Sequence, residues 1–151
     1  MTSLRHPLLI PPFTNDTLRR AVQDYLAGGA RKEDIVKKYG EINNWDVSNV
    51  NNMDSLFSGS VSGAQSFNQP LNKWNVSKVT DMYGMFANAR AFNQPLNNWN
   101  VSNVTNMAWM FANAMSFNQP LNKWNVSNVE DMEGMFQNAI SFNQPLHAPW
   151  Y

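Results

Sequence analysis

The chain has 151 residues, a formal net charge of zero and no cysteine. This length suffices for one domain with a buried core, and the charge balance gives no bulk attraction to nucleic acid or to an anionic membrane surface. The lack of cysteine excludes disulfides, thiolate metal ligands and thiol nucleophiles. Composition therefore removes several functional classes without naming one.

The first segment, "MTSLRHPLLIPPF", contains an apolar run of only a few residues that is interrupted by Pro7, Pro11 and Pro12. A secretory signal needs a longer unbroken apolar segment, and a membrane-spanning helix needs roughly 20 apolar residues. We therefore expect no membrane span and favour an intracellular or virion-associated protein over a cell-surface one.

Residues 14–40 have the pattern of two helices. Thr14 precedes an apolar stripe that begins at Leu18 and recurs at helical spacing, and Gly28 and Gly29 end it, since glycine adopts the left-handed conformation past a helix end. A second helix is predicted over "RKEDIVKKY", up to Gly40. We expect residues 1–44 to form an N-terminal arm and helical cap.

From Trp45 onward the chain repeats itself. Tryptophan recurs at Trp45, Trp74, Trp99 and Trp124, and the sequence between these positions is nearly constant. A fixed period of 20–50 residues indicates stacked repeats. Within one unit, "VTNMAWMFANA" has apolar residues at helical spacing, whereas "FNQPLNKWNV" contains proline and asparagine and has no helical period.

These observations predict a repeat solenoid, leucine-rich-repeat-like, with one short strand and one short helix in each 25-residue coil and with the N-terminal α-helices as its cap. The four-repeat solenoid is expected over residues 45–146, with residues 147–151 as a C-terminal tail. In that tail Trp150 stands one residue late for the next repeat, so we interpret it either as a makeshift cap or as a docking segment.

The wording "WNVSNVTNM…MF…A…FNQPLN" resembles the BspA-like surface-protein repeat, also described from Mycoplasma lipoproteins, a divergent relative of leucine-rich repeats. The helical lead-in is similar to that seen before such repeats in proteins of protists, algae and large DNA viruses. The resemblance implies a leucine-rich-repeat-like solenoid used for binding or adhesion, and it brings no catalytic residues.

No catalytic, cofactor-binding or metal-binding residue is predicted. The two histidines, His6 and His147, lie in opposite terminal segments, and no nucleophile, phosphate-binding or zinc motif occurs. A carboxylate cluster around Asp131 is interpreted as a group of solvent-exposed side chains at a corner of the coil rather than as a cation site. The methionines that recur at Met82 and Met107 are interpreted as core residues rather than soft-metal ligands.

Positions that vary between the repeats are the better functional indicators, because constant positions hold the stack. We predict that the variable aromatic and apolar residues form an exposed strip and that the tail aromatics add to it; these partner-binding residues are Tyr83, Arg90, Trp109, Met115, Ile140, Trp150 and Tyr151. The favoured function is a non-catalytic structural or protein–protein interaction module, such as an accessory or capsid-associated subunit of a larger assembly. The alternative is a glycan-binding or surface-adhesion repeat protein.

Overall fold

The computed structural model describes residues 10–146 and residue 150. The first helix, α1, spans Asn15–Ala27 and begins with a capping box, in which the Thr14 hydroxyl accepts from the Thr17 backbone N–H and the Thr17 hydroxyl accepts from that of Thr14. Its apolar stripe is buried, with Leu18, Ala21, Val22 and Tyr25 as the buried residues. The predicted helix is therefore present, and its apolar face lies against the repeats.

The second helix, α2, spans Gly29–Tyr39 and has no fully buried residue. Ile35, Val36 and Tyr39 are partly buried and pack against the core. Arg31 joins the two helices through its guanidinium, whose Nη2 lies 2.6 Å from Asp24 Oδ1. Within the described part of the chain, neither helix is long and apolar enough to cross a membrane.

The repeats form four coils, numbered here as coil 1 (45–73), coil 2 (74–98), coil 3 (99–123) and coil 4 (124–146). The predicted leucine-rich-repeat-like solenoid, with a strand and a helix in each coil, is wrong. Within residues 45–146 there is no α-helix, and the only β-type pairing consists of single bridged residues that join Asn52 to Asp81, Asp81 to Asn106 and Asn106 to Asp131. One 3₁₀ turn, Ala64–Ser66, lies in the longer coil 1. The coils are otherwise built from turns and extended segments.

The helical prediction failed because a series of turns produces the same apolar spacing as a helix. In coil 3, backbone N–H groups donate three residues back, from Met110 to Met107 and from Ala112 to Trp109. A left-handed residue interrupts the series at Trp109, with φ of 60°, and another at Asn113, with φ of 56°. An α-helix excludes such residues, so apolar steps of three and four arise here from consecutive turns.

The strand prediction failed because side chains replace the backbone acceptors of a sheet. In "FNQPLNKWNV", Pro120 has no N–H to donate, and the backbone N–H of Asn118 donates to Asn93 Oδ1 in the preceding coil at 2.9 Å. The Gln119 amide also donates to Asn93. This side of the stack is therefore an asparagine–glutamine ladder rather than a strand.

Backbone hydrogen bonds join each coil to the next in a constant register. In coil 3, four alternate N–H groups donate to carbonyls of coil 4, at 2.8–2.9 Å; the pairs are Met107 to Asp131, Trp109 to Glu133, Phe111 to Met135 and Asn113 to Gln137. The same four bonds join coil 2 to coil 3 and coil 1 to coil 2. Each coil therefore has a donor edge of four N–H groups that faces the following coil and an acceptor edge of four carbonyls that faces the preceding one. Hydrogen bonding also runs the other way at one point of each interface, as from the Glu130 N–H to the Thr105 carbonyl.

Aromatic side chains stack in the core at the same register. One column joins Phe57, Phe86, Phe111 and Phe136, with ring centroids 5.6–5.7 Å apart and planes within 5° of parallel. A second column joins Phe67, Phe92, Phe117 and Phe142 at 6.0–6.1 Å. The indole N–H of Trp99 donates to Leu71 O and that of Trp124 to Leu96 O, so each tryptophan is anchored to a leucine 28 residues earlier in the chain.

Side chains of α1 take the place of a preceding coil at the start of the stack. Arg19 Nη2 donates to the Asp54 carbonyl at 2.7 Å, and Asn15 Oδ1 accepts from the Asn51 backbone N–H at 3.0 Å. In the inner coils, the carbonyl at the position of Asp54 accepts a hydrogen bond from the backbone of the preceding coil. The N–H at the position of Asn51 donates a hydrogen bond to that backbone. The acceptor edge of coil 1 is therefore covered by α1.

The phenylalanine column predicts a graded loss of stability along the stack. Phe111→Ala should lower the free energy of unfolding by about 3–5 kcal/mol, because it leaves a cavity at a fully buried site. Phe136→Ala in coil 4 should cost at least about 1 kcal/mol less, because Phe136 is only partly buried and loses less contact. Urea unfolding followed by tryptophan fluorescence checks both values, and equal losses would contradict the column as described.

Candidate partner-binding site

Two series of variable positions run across the coils and contain the predicted site residues. The first, called the turn row, consists of Asp54-Ser55, Tyr83-Gly84, Ala108-Trp109 and Glu133-Gly134. The second, called the outer row, consists of Gln65, Arg90, Met115 and Ile140. Members of the turn row are neighbours through the backbone ladder, since Gly84 donates to the Ala108 carbonyl and Trp109 to the Glu133 carbonyl.

The second residue of each turn-row pair has a left-handed backbone. The φ values are 56° at Ser55, 57° at Gly84, 60° at Trp109 and 62° at Gly134. Glycine adopts this conformation without penalty, whereas a residue with a Cβ pays about 1–2 kcal/mol. Trp109 is therefore a bulky side chain at a position that favours glycine.

The Trp109 ring lies over the backbone of coil 4. A Cβ built on Gly134 would come within 2.2 Å of the indole atoms Cε3 and Cζ3. At the equivalent position of coil 2, a Cβ on Gly84 would lie 3.4 Å from Ser55 Oγ, which is an ordinary contact. Gly134 is therefore required for two reasons: its positive φ and the ring above it. Trp109 is half-buried by this contact.

Tyr83 is the exposed aromatic residue of the turn row, with 41% of its surface accessible. Its backbone N–H donates to Asp81 Oδ1 at 2.9 Å, and Glu133 makes the same bond to Asp131 Oδ1 at 3.0 Å. These carboxylates hold the turn in the same way as Asn106, whose Oδ1 accepts from Ala108. Among the described residues, no group of three or more histidine and carboxylate side chains could hold a metal ion.

The outer-row residues that the sequence predicted to bind a partner are exposed in coils 2 and 4 and half-buried in coil 3. Arg90 is exposed, Met115 is half-buried, and Ile140 has 78% of its surface accessible. The Ser141 hydroxyl donates to the Met115 carbonyl at 2.7 Å, which joins coil 4 to coil 3 beside this row. Ile140 is therefore the most exposed large apolar side chain in the described part of the chain.

The predicted single strip is divided between these two rows. Tyr83 and Trp109 belong to the turn row, whereas Arg90, Met115 and Ile140 belong to the outer row. Hydrogen bonds join neighbouring coils beside each row, but among the described residues none joins a turn-row side chain to an outer-row one. A partner that contacts both rows would have to span the buried segment between them.

Trp150 has a different position from the other predicted residues. Its ring stacks on Trp124 with centroids 6.3 Å apart and planes at 20°, so it continues the tryptophan series despite standing one residue late. Its Nε1 is buried and has no hydrogen-bond partner among the described residues. Trp150 is thus half-buried at the end of the stack. Tyr151, His6 and His147 lie outside the described residues, so no position can be assigned to them.

Two groups with shifted pKa values lie near the junction of the helices and coil 1, not in the rows. Burial, followed by the nearby Glu41 carboxylate, raises the pKa of Tyr25. The Ser48 hydroxyl and backbone N–H, which donate to Asp46 Oδ1, lower the pKa of Asp46. A lowered carboxyl pKa stabilises the fold above its unfolded-state pKa, and this contribution is lost as the pH falls through the folded-state value.

Sequence reasoning missed the left-handed turn row and the ring contact on Gly134. A signal was present, because Gly84 and Gly134 occupy the same repeat position that Trp109 occupies in coil 3. A glycine that recurs in register indicates positive φ. Trp109, which replaces glycine at this position, could therefore have been predicted to have a strained backbone.

The chain is thus a repeat protein made of stacked, turn-built coils behind a pair of helices. A family model described as "Mycoplasma protein of unknown function, DUF285" matches residues 30–150, and the chain belongs to this family. The match includes the four coils and leaves out α1. Comparison with the curated proteins and with the solved structures gave no match.

The ring contact predicts unequal effects of one substitution at two equivalent glycines. Gly84→Ala should cost about 1–2 kcal/mol of folding free energy, which is the left-handed penalty alone. Gly134→Ala should cost at least about 1 kcal/mol more, because the new methyl group displaces the Trp109 ring. Urea unfolding of both variants measures the difference.

A double-mutant cycle provides the control. In a Trp109→Gly background the extra cost of Gly134→Ala should disappear, because the clashing ring is gone. An extra cost that persists without the ring would show that Trp109 does not lie on Gly134.

Proposed function

We propose that this protein is a non-catalytic protein–protein interaction module, an accessory or capsid-associated subunit of a larger assembly, whose turn row contacts the partner. The observation that carries the proposal is Trp109. It is a half-buried tryptophan in a left-handed conformation, at a position where the other coils have glycine or serine. Strained residues of this kind cluster at functional sites, and tryptophan is the residue type most enriched at interface hot spots.

The neighbours of Trp109 support a protein surface as the partner. Tyr83 is exposed one coil earlier, and Glu133, whose carbonyl accepts the Trp109 N–H, is exposed one coil later. An aromatic centre with polar neighbours matches the composition of protein interfaces. In the outer row, Ile140 and Arg90 extend the candidate surface. We also propose that the coils are BspA-like surface repeats and that α1 and α2 are the helical lead-in of protist, algal and large DNA virus relatives.

Site-specific photo-crosslinking tests the proposed surface in the full chain. A benzophenone amino acid at Tyr83 or Met115 should crosslink to one protein of the native source, whereas the same group at the exposed Lys123 of coil 3 should not. Trp109→Ser should reduce the crosslinked fraction at least tenfold, which corresponds to a hot spot of about 1.4 kcal/mol or more. Equal yields at all three positions would contradict the proposal.

A stability measurement on the same variant separates binding from folding. Trp109→Ser keeps a Cβ at the strained position, as Ser55 does naturally, and loses the ring contact with Gly134. We therefore expect a loss of folding free energy of about 1–2 kcal/mol, small enough to leave the chain folded in the binding assay. A variant that unfolds would be replaced by Trp109→Phe, which keeps an aromatic ring.

Glycan binding is the second candidate, because the Trp109 ring has one face on Gly134 and is only half-buried, which leaves ring surface for stacking on a sugar. Retention on a glycan array that is lost with Trp109→Ala and kept with Lys123→Ala would favour this alternative. The absence of retention, together with a protein crosslink at Tyr83, would favour the protein partner.

A further inference from the structure

The two ends of the stack differ in how their backbone edges are covered. At the first end, Arg19 and Asn15 of α1 make two of the hydrogen bonds that a preceding coil would make. At the other end, coil 4 presents its donor edge: the N–H groups of Met132, Gly134, Phe136 and Asn138. Among the described residues, no backbone carbonyl accepts from these four groups. Their equivalents in each earlier coil all donate to the following coil.

The apolar side chains of coil 4 show the same asymmetry. The positions equivalent to Val129, Met132, Phe136, Phe142 and Leu146 are at most 5% exposed in coils 1 to 3, but these five residues of coil 4 are only partly buried. Met132, Phe136, Leu146 and Trp150 line a depression of about 350 Å³ beside the donor edge. Coil 4 therefore ends in an apolar face with a row of hydrogen-bond donors next to it.

The three coil-to-coil interfaces inside the chain define what fits this face. Each consists of four carbonyls at alternate residues, set against four N–H groups, with methionine and phenylalanine side chains stacked beside them. An occupant must therefore present alternate carbonyls and an apolar edge at the same spacing. An uncovered edge of this kind is a template for pairing with another chain.

A second copy of this chain does not meet the requirement. α1 blocks access to its acceptor edge on coil 1, since Asp54 O accepts from Arg19 and the buried Val22 and Tyr25 of α1 pack in the core beside it. Two copies joined through coil 4 would set four donors against four donors, with only the Glu130 carbonyl as an acceptor beside them on each side. The end face is therefore complementary neither to the first end of another copy nor to itself.

We propose that the coil 4 end face, defined by the donor edge Met132, Gly134, Phe136 and Asn138 and by the depression beside it, binds a coil of the same repeat type that belongs to another polypeptide. Trp150 already stacks on Trp124 in the position of a following tryptophan. The incoming segment consequently needs only the part of the repeat that carries the four acceptors, the equivalent of residues 76–92. In this chain that segment accepts from coil 1 through Asp81, Tyr83, Met85 and Ala87.

The proposal uses the end of the stack, whereas the turn-row function uses its side; Gly134 is the one residue that belongs to both surfaces. A synthetic peptide of residues 76–92, "VSKVTDMYGMFANARAF", with blocked ends provides the acceptor edge and contains charged residues for solubility. Calorimetric titration into the full chain should show saturable one-to-one binding. A scrambled peptide of the same composition should not bind.

Hydrogen exchange by NMR locates the peptide. Saturating peptide should slow the exchange of the Met132, Gly134, Phe136 and Asn138 amides at least tenfold, while the amides of α1 stay unchanged. If these four amides are already strongly protected in the free protein, the end is closed by the chain's own tail and the proposal is overturned. A concentration-dependent dimer with the same protection would also overturn it, because the occupant would then be a second copy.

Matched variants test the face itself. Leu146→Lys and Met132→Lys should each weaken peptide binding at least tenfold, because they place a charge in the depression; both residues are only partly buried, so the fold should tolerate them. Lys123→Ala, at an exposed site of coil 3 outside both rows, should bind as the unmodified chain does. The peptide titration reports on the end face and the crosslinking at Tyr83 reports on the turn row, so a failure of one proposal is distinguishable from a failure of the other. Equal binding by Leu146→Lys and the unmodified chain would overturn the proposal.

Discussion

The structure depends on one interaction, the pairing of alternate backbone N–H groups in each coil with alternate carbonyls in the next. Four such bonds join each pair of neighbouring coils at 2.7–2.9 Å. The pairing holds equivalent residues at a constant spacing, so the phenylalanine rings stack almost parallel and the Asn93 side chain reaches the Asn118 backbone. Because the register is the same at every interface, a residue that packs well in one coil packs well in the others, and the amino-acid sequence repeats.

The ladder also explains why the ends of the stack are not equivalent. Every coil has an acceptor edge on one side and a donor edge on the other, so the first and last coils present different chemistry. The side chains of Arg19 and Asn15 supply two of the bonds of a preceding coil at the first end, because α1 lies across it. At the last end the described residues include the stacked Trp150, which covers Trp124 but supplies no backbone carbonyl to the donor edge.

Departures from the repeat are informative because the ladder makes each position comparable in all four coils. At the turn-row position with positive φ, Gly84 and Gly134 satisfy the backbone requirement and Ser55 tolerates it. Trp109 meets it at a cost, and its ring in turn requires glycine at position 134. A residue that is strained at a position favouring glycine, and that adds nothing to the core, is a candidate for selection by a binding partner. This reasoning separates Trp109 from other half-buried aromatic residues.

The sequence by itself determined the period, the buried positions and the two helices, because apolar residues recur at a fixed interval and capping residues flank the helical stripe. It also allowed assignment to a family. Only the tertiary structure decided the conformation of the coils. The spacing of Met107, Met110 and Phe111 is the same for a helix and for consecutive turns. The choice rests on contacts with the next coil, to which the N–H groups of the left-handed Trp109 and Asn113 donate. Likewise, the extended side is not a strand because Asn93 and Gln119 replace backbone partners in a contact between coils. Such pairings join residues about one repeat apart, so no local pattern in the chain reveals them.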